Sequence, residues 1–247
     1  MRKIKITWII IQVAWTTLHV CLRIIWKART NPKEAFRYSR DPWGPRLLEI
    51  AGATLEVDGL EQIDFSKPAI YVMNHQSLMD VPSVFHALPV NLCFIAKKEL
   101  EKVPIFGKAM KSVGMIFVDR SNPEKAIASL KAGGELIRSG FNVMAFPEGT
   151  RSKDGQIQPF KRGIFLLALE AQVPIVPLAI EGARHVVAPT GFDPKPGHIR
   201  IRAGQPIPPL PTTESPEEDL NQLRHTVYNA VCSLHTQLCR EIDAEHS

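Results

Sequence analysis

The runs Ala69-Ile-Tyr-Val-Met-Asn-His75 and Asn142-Val-Met-Ala-Phe-Pro-Glu-Gly-Thr-Arg151 decide how this chain folds. Each opens with a short, almost wholly apolar segment, as expected of a strand covered on both faces. Each then stops abruptly in residues that can do chemistry. Two further runs behave alike: Asn91-Leu-Cys-Phe-Ile-Ala96 ends in Lys97-Lys98-Glu99, and Gly114-Met-Ile-Phe-Val118 ends in Asp119-Arg120. If these strands are parallel, all four polar endings emerge at one edge of the sheet, where open α/β folds hold their ligands. One such ending is noise. Four, with a base, an acid and several cations, point to an active site.

Outward from these runs the pattern alternates. Strands are predicted at Thr54–Leu60, Ala69–Asn74, Asn91–Ala96, Gly114–Arg120, Asn142–Phe146, Pro174–Ile180 and Ile199–Ile207, with helices near Met79–Leu88, Lys102–Ser112, Pro123–Ser139 and Gly163–Ala171. Strand–helix alternation of this kind predicts an α/β domain with a mostly parallel sheet flanked by helices. A Pro-rich connector, 205–216, leads to a final helix from about Ser215 to Ile242, whose stripe Leu220, Leu223, Val227, Val231, Leu234 and Leu238 reads as ordinary core packing. The division is therefore 1–53, an N-terminal membrane-interface segment, and 54–247, the α/β domain.

Segment 1–53 reads as a membrane element. From Ile4 to Trp26 it is apolar and long enough to span a bilayer. Its polar residues Lys5, Gln12, Thr16, His19, Arg23 and Lys27 nevertheless recur at intervals of seven, four, three, four and four, which at 100° per residue gathers them on one stripe bordered by Trp8, Trp15 and Trp26. A wide apolar face, a basic strip and edge tryptophans describe a helix lying in the membrane interface. A spanning helix is the competing reading. Positive residues are denser after the helix than before it, which would put the main domain in the cytoplasm, at the inner face of the plasma membrane. Pro42 to Ala53, with Trp43, Leu47, Leu48 and Ile50, is too short to cross and is expected to form a second interfacial helix, the two making a hairpin-like anchor.

Composition narrows the partners. The chain of 247 residues carries a net charge of +5 and a pI of about 9.1. Such a balance suits nucleic acid, an anionic membrane or a phosphorylated substrate. No zinc-finger spacing, RNP-like aromatic motif or unbroken Lys/Arg run is present, so nucleic acid is not an expected partner. The four cysteines, Cys21, Cys93, Cys232 and Cys239, form no paired framework, as in a reducing compartment. Cys232, His235 and Cys239 share one side of a helix, but such side chains are more often plain than ligands, and no metal is expected.

His75 and Asp80 are separated by four residues across a strand-to-helix turn. An imidazole there can take a proton from an alcohol if a carboxylate holds its other nitrogen. Ser77-Leu-Met-Asp80 also reads as a helix start, with Ser77 as cap and Asp80 at the third position. Lys97, Arg120 and Arg151 are candidates to neutralise a phosphate, against the alternative of solvated surface charge. Glu148, with Gly149 behind it, either meets a substrate hydroxyl or holds its loop. No G-x-S-x-G elbow and no H-E-x-x-H is present, and Ser77 and Cys93 are nucleophiles only by default. Direct transfer to a substrate hydroxyl is therefore expected.

At these residues the sequence closely resembles the glycerolipid acyltransferases, in particular the 1-acylglycerol-3-phosphate acyltransferases. Four blocks carry the likeness, over roughly 70–180: Asn74-His75-Gln-Ser-Leu-Met-Asp80; Lys97-Lys-Glu-Leu100 with Pro104, Gly107 and Gly114-Met-Ile-Phe-Val-Asp-Arg120; Phe146-Pro-Glu-Gly-Thr-Arg-Ser152; and Val173-Pro-Ile-Val-Pro177. The resemblance implies His75 as general base, Asp80 as its orienting partner, Lys97, Arg120 and Arg151 as ligands of the glycerol phosphate, and Glu148 and Gly149 as shapers of that pocket. It implies a thioester of coenzyme A or acyl carrier protein as donor, lysophosphatidic acid as the membrane-lipid acceptor, phosphatidic acid as product, and no bound cofactor. Acylation of glycerol 3-phosphate or another lysophospholipid is the sister reading. A non-catalytic protein that binds anionic membranes is the distant one.

Overall fold

Strands that are apolar on both faces need cover on both faces, and here they have it. The computed structural model describes residues 2–119, 133–209 and 215–245. Seven strands, β1 (Ala53–Asp58), β2 (Ile70–Met73), β3 (Leu92–Lys97), β4 (Ile116–Val118), β5 (Asn142–Ala145), β6 (Ile175–Glu181) and β7 (Gly197–Ala203), form one sheet in the order β1-β7-β6-β2-β5-β3-β4. The five strands from β6 to β4 run parallel, while β7 pairs antiparallel with β6 and parallel with β1. All four residues of β2 are buried: Ile70 and Val72 pack into one core, Tyr71 and Met73 into the other.

The helices are α1 (Arg2–Lys27), α2 (Gly44–Ala51), α3 (Asp80–Ala87), α4 (Phe106–Ser112), α5 (Gly163–Ala171) and α6 (Pro216–Glu245), with shorter turns between them. α2 and α3 cover the Tyr71 face through Leu48, Ala51, Val84 and Phe85. α5 and α6 cover the other through Phe165, Leu167, Leu223 and Val227. The mostly parallel sheet between helices is thus as expected, with strand ends displaced by a few residues.

Two elements depart from expectation, the first for a local reason. The helix expected from Lys102 begins only at Phe106, because Pro104 lacks an N–H and restricts Val103, and Ile105 turns through φ +63. Residues 98–102 form a 3-10 turn instead, and Gly107 is required beside it, since a Cβ there would lie 2.2 Å from Glu101 O. The last strand starts at Gly197, before the expected Ile199, and ends at Ala203; Ile207 keeps a single bridge to Ile175. Of the helix expected over Pro123–Ser139, 133–138 is helical and 123–132 lies outside the described residues.

α1 divides its apolar surface in two. Ile9, Val20, Cys21 and Ile24 are buried against the domain. Diametrically opposite, Ile4, Trp8, Ile11, Trp15, Leu18, Leu22 and Trp26 face outward, with Trp8, Trp15 and Trp26 61–68 % exposed. The strip bearing Lys5, His19 and Arg23 runs between the two. The second N-terminal helix also forms, but its apolar side faces inward: Leu47, Leu48 and Ala51 are buried, Trp43 sits edge-on to Phe85 at 5.8 Å, and Arg46 and Glu49 face solvent. Trp43 Nε1 donates to Thr17 Oγ1 (3.1 Å), tying the pair together. The outward apolar surface therefore belongs to α1.

Candidate active site

The parallel strands deliver their polar endings to one edge, as their sequence suggested. His75 follows β2, Lys97 ends β3, and 147–151 follows β5, β2's neighbour. Arg120 lies outside the described residues.

Asp80 opens α3 with no solvent exposure, and its Oδ2 accepts three hydrogen bonds: from His75 Nδ1 (2.7 Å), Gln76 N–H (2.7 Å) and Ser77 N–H (2.8 Å). Of the two readings of this segment the histidine–carboxylate pair forms, whereas the helix starts at Asp80 itself, with Met79 rather than Ser77 at the cap position. The bonds from the Gln76 and Ser77 amides fold the turn before the helix around the carboxylate, while the bond from Nδ1 fixes the histidine's tautomer. With Nδ1 protonated toward the carboxylate, Nε2 carries the lone pair. The imidazole stacks on Phe146 at 4.1 Å and 18°, which sets its plane.

Glu148 is 3 % exposed, and both its oxygens are occupied by backbone: Oε1 accepts from His75 N–H (2.6 Å), Oε2 from Gln158 N–H (2.8 Å). Burial pushes its carboxyl above the usual range, against the pull of those two amides. It holds its loop and the backbone of His75. Ser152 N–H adds a bond to His75 O (2.8 Å), so the loops after β2 and β5 are tied at two points. Gly149 takes φ +75, a conformation glycine adopts without steric cost.

His75, Gly149, Thr150, Arg151 and Lys97 line one part of a cavity of about 670 Å³, within the usual ~300–1,000 Å³ of ligand sites. The rest of its wall is mostly apolar: Ile9, Val13, Val20 and Ile24 of α1, with Leu47, Phe85, Phe94, Ala109 and Met110. α1 is thus a wall of the site as well as an outward-facing helix.

The default nucleophiles are occupied or buried. Ser77 is fully buried and its Oγ donates to Val187 O (2.7 Å). Cys93 lies in the core, where burial pushes its thiol up to about 12.

Pairing sorts the nearby cations. Lys98 and Lys111 bind Glu101, Arg162 binds Glu217, and Arg184 lies against Glu181. Among the described residues, no carboxylate pairs with Lys97, Arg151 or Lys161. Lys161 is the residue sequence reasoning missed. Its N–H donates to Pro147 O (2.9 Å), and its Nζ lies 2.8 Å from where a Cβ on Gly149 would sit. The only signal was a basic pair, Lys161-Arg162, directly before α5.

A family model described as Acyltransferase matches residues 54–181, and the chain belongs to that family. Among its relatives, the chain is 37 % identical over 155 residues to the chloroplastic 1-acyl-sn-glycerol-3-phosphate acyltransferase BAT2 of Brassica napus, covering 62 % of this chain and 44 % of that one. It is 34 % identical over 190 residues to the 1-acyl-sn-glycerol-3-phosphate acyltransferase of Cocos nucifera, covering 75 % of this chain and 60 % of the relative. The chain thus spans about half the length of these plant relatives. The crystal structure of the 1-acyl-sn-glycerophosphate acyltransferase PlsC from Thermotoga maritima superposes with a TM-score of 0.77 at 27 % identity, over 94 % of this chain and 95 % of that one.

Proposed function

We propose that this protein transfers a fatty-acyl group from a thioester, of coenzyme A or acyl carrier protein, to the free hydroxyl of 1-acylglycerol 3-phosphate, giving phosphatidic acid. One observation carries the reading: a histidine held by a buried carboxylate lines a largely apolar cavity beside Lys97 and Arg151, with Lys161 against Gly149 of the same wall, and none of the three pairs with a carboxylate among the described residues. The names of the relatives agree with it. His75 Nε2 takes the proton as the acceptor's hydroxyl oxygen attacks the thioester carbon; the C–S bond breaks, and the thiolate leaves with that proton. Asp80 stabilises the imidazolium between the two steps, a contribution of about 10²–10⁴-fold for general-base catalysis. No covalent intermediate is needed, in keeping with the inaccessibility of Ser77 and Cys93. Lys97, Arg151 and Lys161 meet the acceptor's phosphate, with Arg120, and the apolar wall takes an acyl chain.

The outward stripe of α1 fits a helix lying in the membrane interface. Tryptophans and leucines enter the acyl boundary, and the strip of Lys5, His19 and Arg23 stays at headgroup level beside anionic lipid. The acceptor is held in the bilayer by about 0.8 kcal/mol per buried methylene, so a site walled by that helix receives it without full extraction. The expected site of action is the cytoplasmic face of the plasma membrane.

The test compares wild type with His75→Ala in detergent micelles containing acyl-CoA and lysophosphatidate. Wild-type turnover with a loss of at least ~10²-fold in the variant is expected; equal rates would reject the mechanism. Running glycerol 3-phosphate and lysophosphatidylcholine beside lysophosphatidate decides the acceptor, and a preference for either would overturn the substrate assignment.

A further inference from the structure

One buried charge near His75 has no part in the mechanism above. Glu181 ends β6, the strand beside β2, and is 5 % exposed. Its Oε2 accepts from His235 Nε2 of α6 (2.8 Å) and from Gln76 Nε2 (3.2 Å). Its Oε1 lies 3.4 Å from Arg184 Nε and 3.9 Å from His185 Nε2.

Gln76 is the residue between the base and Ser77, and it is fully buried. Its side chain donates to Ile180 O (2.6 Å) and accepts from Arg184 N–H (3.3 Å), while its own N–H donates to Asp80 Oδ2 (2.7 Å). On the other side of His75, Asn74 makes the matching contacts: Ile180 N–H donates to its Oδ1 (2.8 Å) and its Nδ2 donates to Ile180 O (3.0 Å). The base is therefore slung between two amide side chains anchored on β6. Glu181 is where that anchor acquires charge and reaches α6.

A metal is the rival use of this cluster. The ligand atoms of Glu181, His235 and Cys239 lie within 4.8 Å of one another; Cys232, singled out in the sequence, is not among them. Yet a guanidinium stands 3.4 Å from the same carboxylate, His235 already bonds it, and burial raises the Cys239 thiol above its ordinary value, which disfavours the thiolate a metal needs. The cluster is built as a hydrogen-bonded clamp.

We propose that Glu181, held by His235, is a positioning residue for the reaction, fixing the loop of the catalytic base through the buried side chain of Gln76. The proposal rests on the assignment of His75 as that base. A polar side chain in a dry site stays put only if its donors are met. Without Glu181 the second Nε2 proton of Gln76 loses its acceptor, and the Gln76 N–H bond to Asp80 is no longer held in place. Misplacement of a reacting group by about 1 Å costs on the order of 10²-fold in rate.

The experiment is a double-variant cycle on the full chain in micelles with acyl-CoA and lysophosphatidate. Glu181→Ala, Gln76→Ala and the double variant are compared for kcat, for both KM values and for melting temperature, with His75→Ala alongside. Each single change should lower kcat by about tenfold or more with both KM values within about twofold, and the double variant should be no slower than the slower single one. His235→Gln, which keeps an N–H donor, should recover most of the rate that His235→Ala loses; this pair decides the matter if Glu181→Ala does not fold. Losses that multiply in the double variant, losses confined to KM, or unchanged kcat in folded Glu181→Ala would overturn the proposal. A fully active His75→Ala would remove its foundation and locate the failure in the mechanism. An inactive His75→Ala beside an unimpaired Glu181→Ala locates it in the clamp.

Discussion

Asp80 Oδ2 bonds the imidazole of His75 and the amides of Gln76 and Ser77, so the proposed catalysis and the local folding depend on one atom. Asparagine cannot replace it: its carbonyl oxygen meets the three donors only by placing the NH₂ at the buried position of Oδ1, which has no partner among the described residues, and the neutral amide neither stabilises an imidazolium nor holds His75 to one tautomer. Asp80→Asn should lower kcat by about 10²–10⁴-fold with little change in either KM, measured at saturating donor. On the same proposal the cations act on binding instead. Charge-assisted hydrogen bonds are worth about 1.5–3 kcal/mol, so Arg151→Ala and Lys161→Ala should each raise the acceptor KM by about tenfold or more while leaving the acyl-CoA KM nearly unchanged. An unmoved acceptor KM in Lys161→Ala would remove that residue from the phosphate site. His75 and Asp80 were legible in the sequence because a base and an acid flanking a strand-to-helix turn are local. Lys161 was not. Its place above Gly149 depends on how residues 152–160 return to the loop, and no spacing rule encodes that return.

At the scale of elements, α1 carries two apolar faces on opposite sides. Its seven-residue outward stripe, Ile4 to Trp26, is suited to lipid, while Ile9, Val20, Cys21 and Ile24 close the cavity. Removing residues 1–30 would therefore open the cavity as well as release the protein, and loss of activity would not report on membranes. Replacing Trp8, Trp15 and Trp26 together by Ser separates the two. Exposed substitutions cost about 0.5 kcal/mol or less each, so the melting temperature should hold and micellar activity stay within a few-fold. Binding to anionic vesicles, followed by co-sedimentation, should fall sharply. Retention on vesicles would show that α1 is not the anchor. The helical period revealed the basic strip and the tryptophans beside it. It did not reveal which of two apolar faces turns inward, since both read alike until a domain is present to cover one. The same limit explains α2, whose apolar side chains proved to be core.

Across the whole molecule, the loop that carries the base is fastened to β6 and, through His235, to the last helix. Burial pushes the Glu181 carboxyl up, but bonds from His235, the Gly182 amide and Gln76 more than offset this and hold it at about 2, against an ordinary 4.5. For a carboxyl depressed on folding, the stabilisation is present above the ordinary value and lost as pH falls through the folded one. Wild type should thus exceed Glu181→Gln in unfolding free energy by on the order of 2–3 kcal/mol near neutrality. The gap should close as pH falls from about 4.5 toward about 2, followed by denaturant titration across that range. A gap that persists unchanged to the acid end would mean Glu181 is not held as an anion by these partners.

The sequence by itself determined the mostly parallel sheet, the edge at which His75, Lys97 and Glu148 emerge, and the amphipathic first helix, because each follows from short-range rules of period, strand polarity and turn chemistry. Only the tertiary structure decided that Glu148 holds backbone, that Lys161 overlies Gly149, that α1 walls the cavity, and that α6 reaches the loop of the base through Glu181. Those are contacts between residues far apart in the chain, and their existence depends on how layers pack, which no local pattern records.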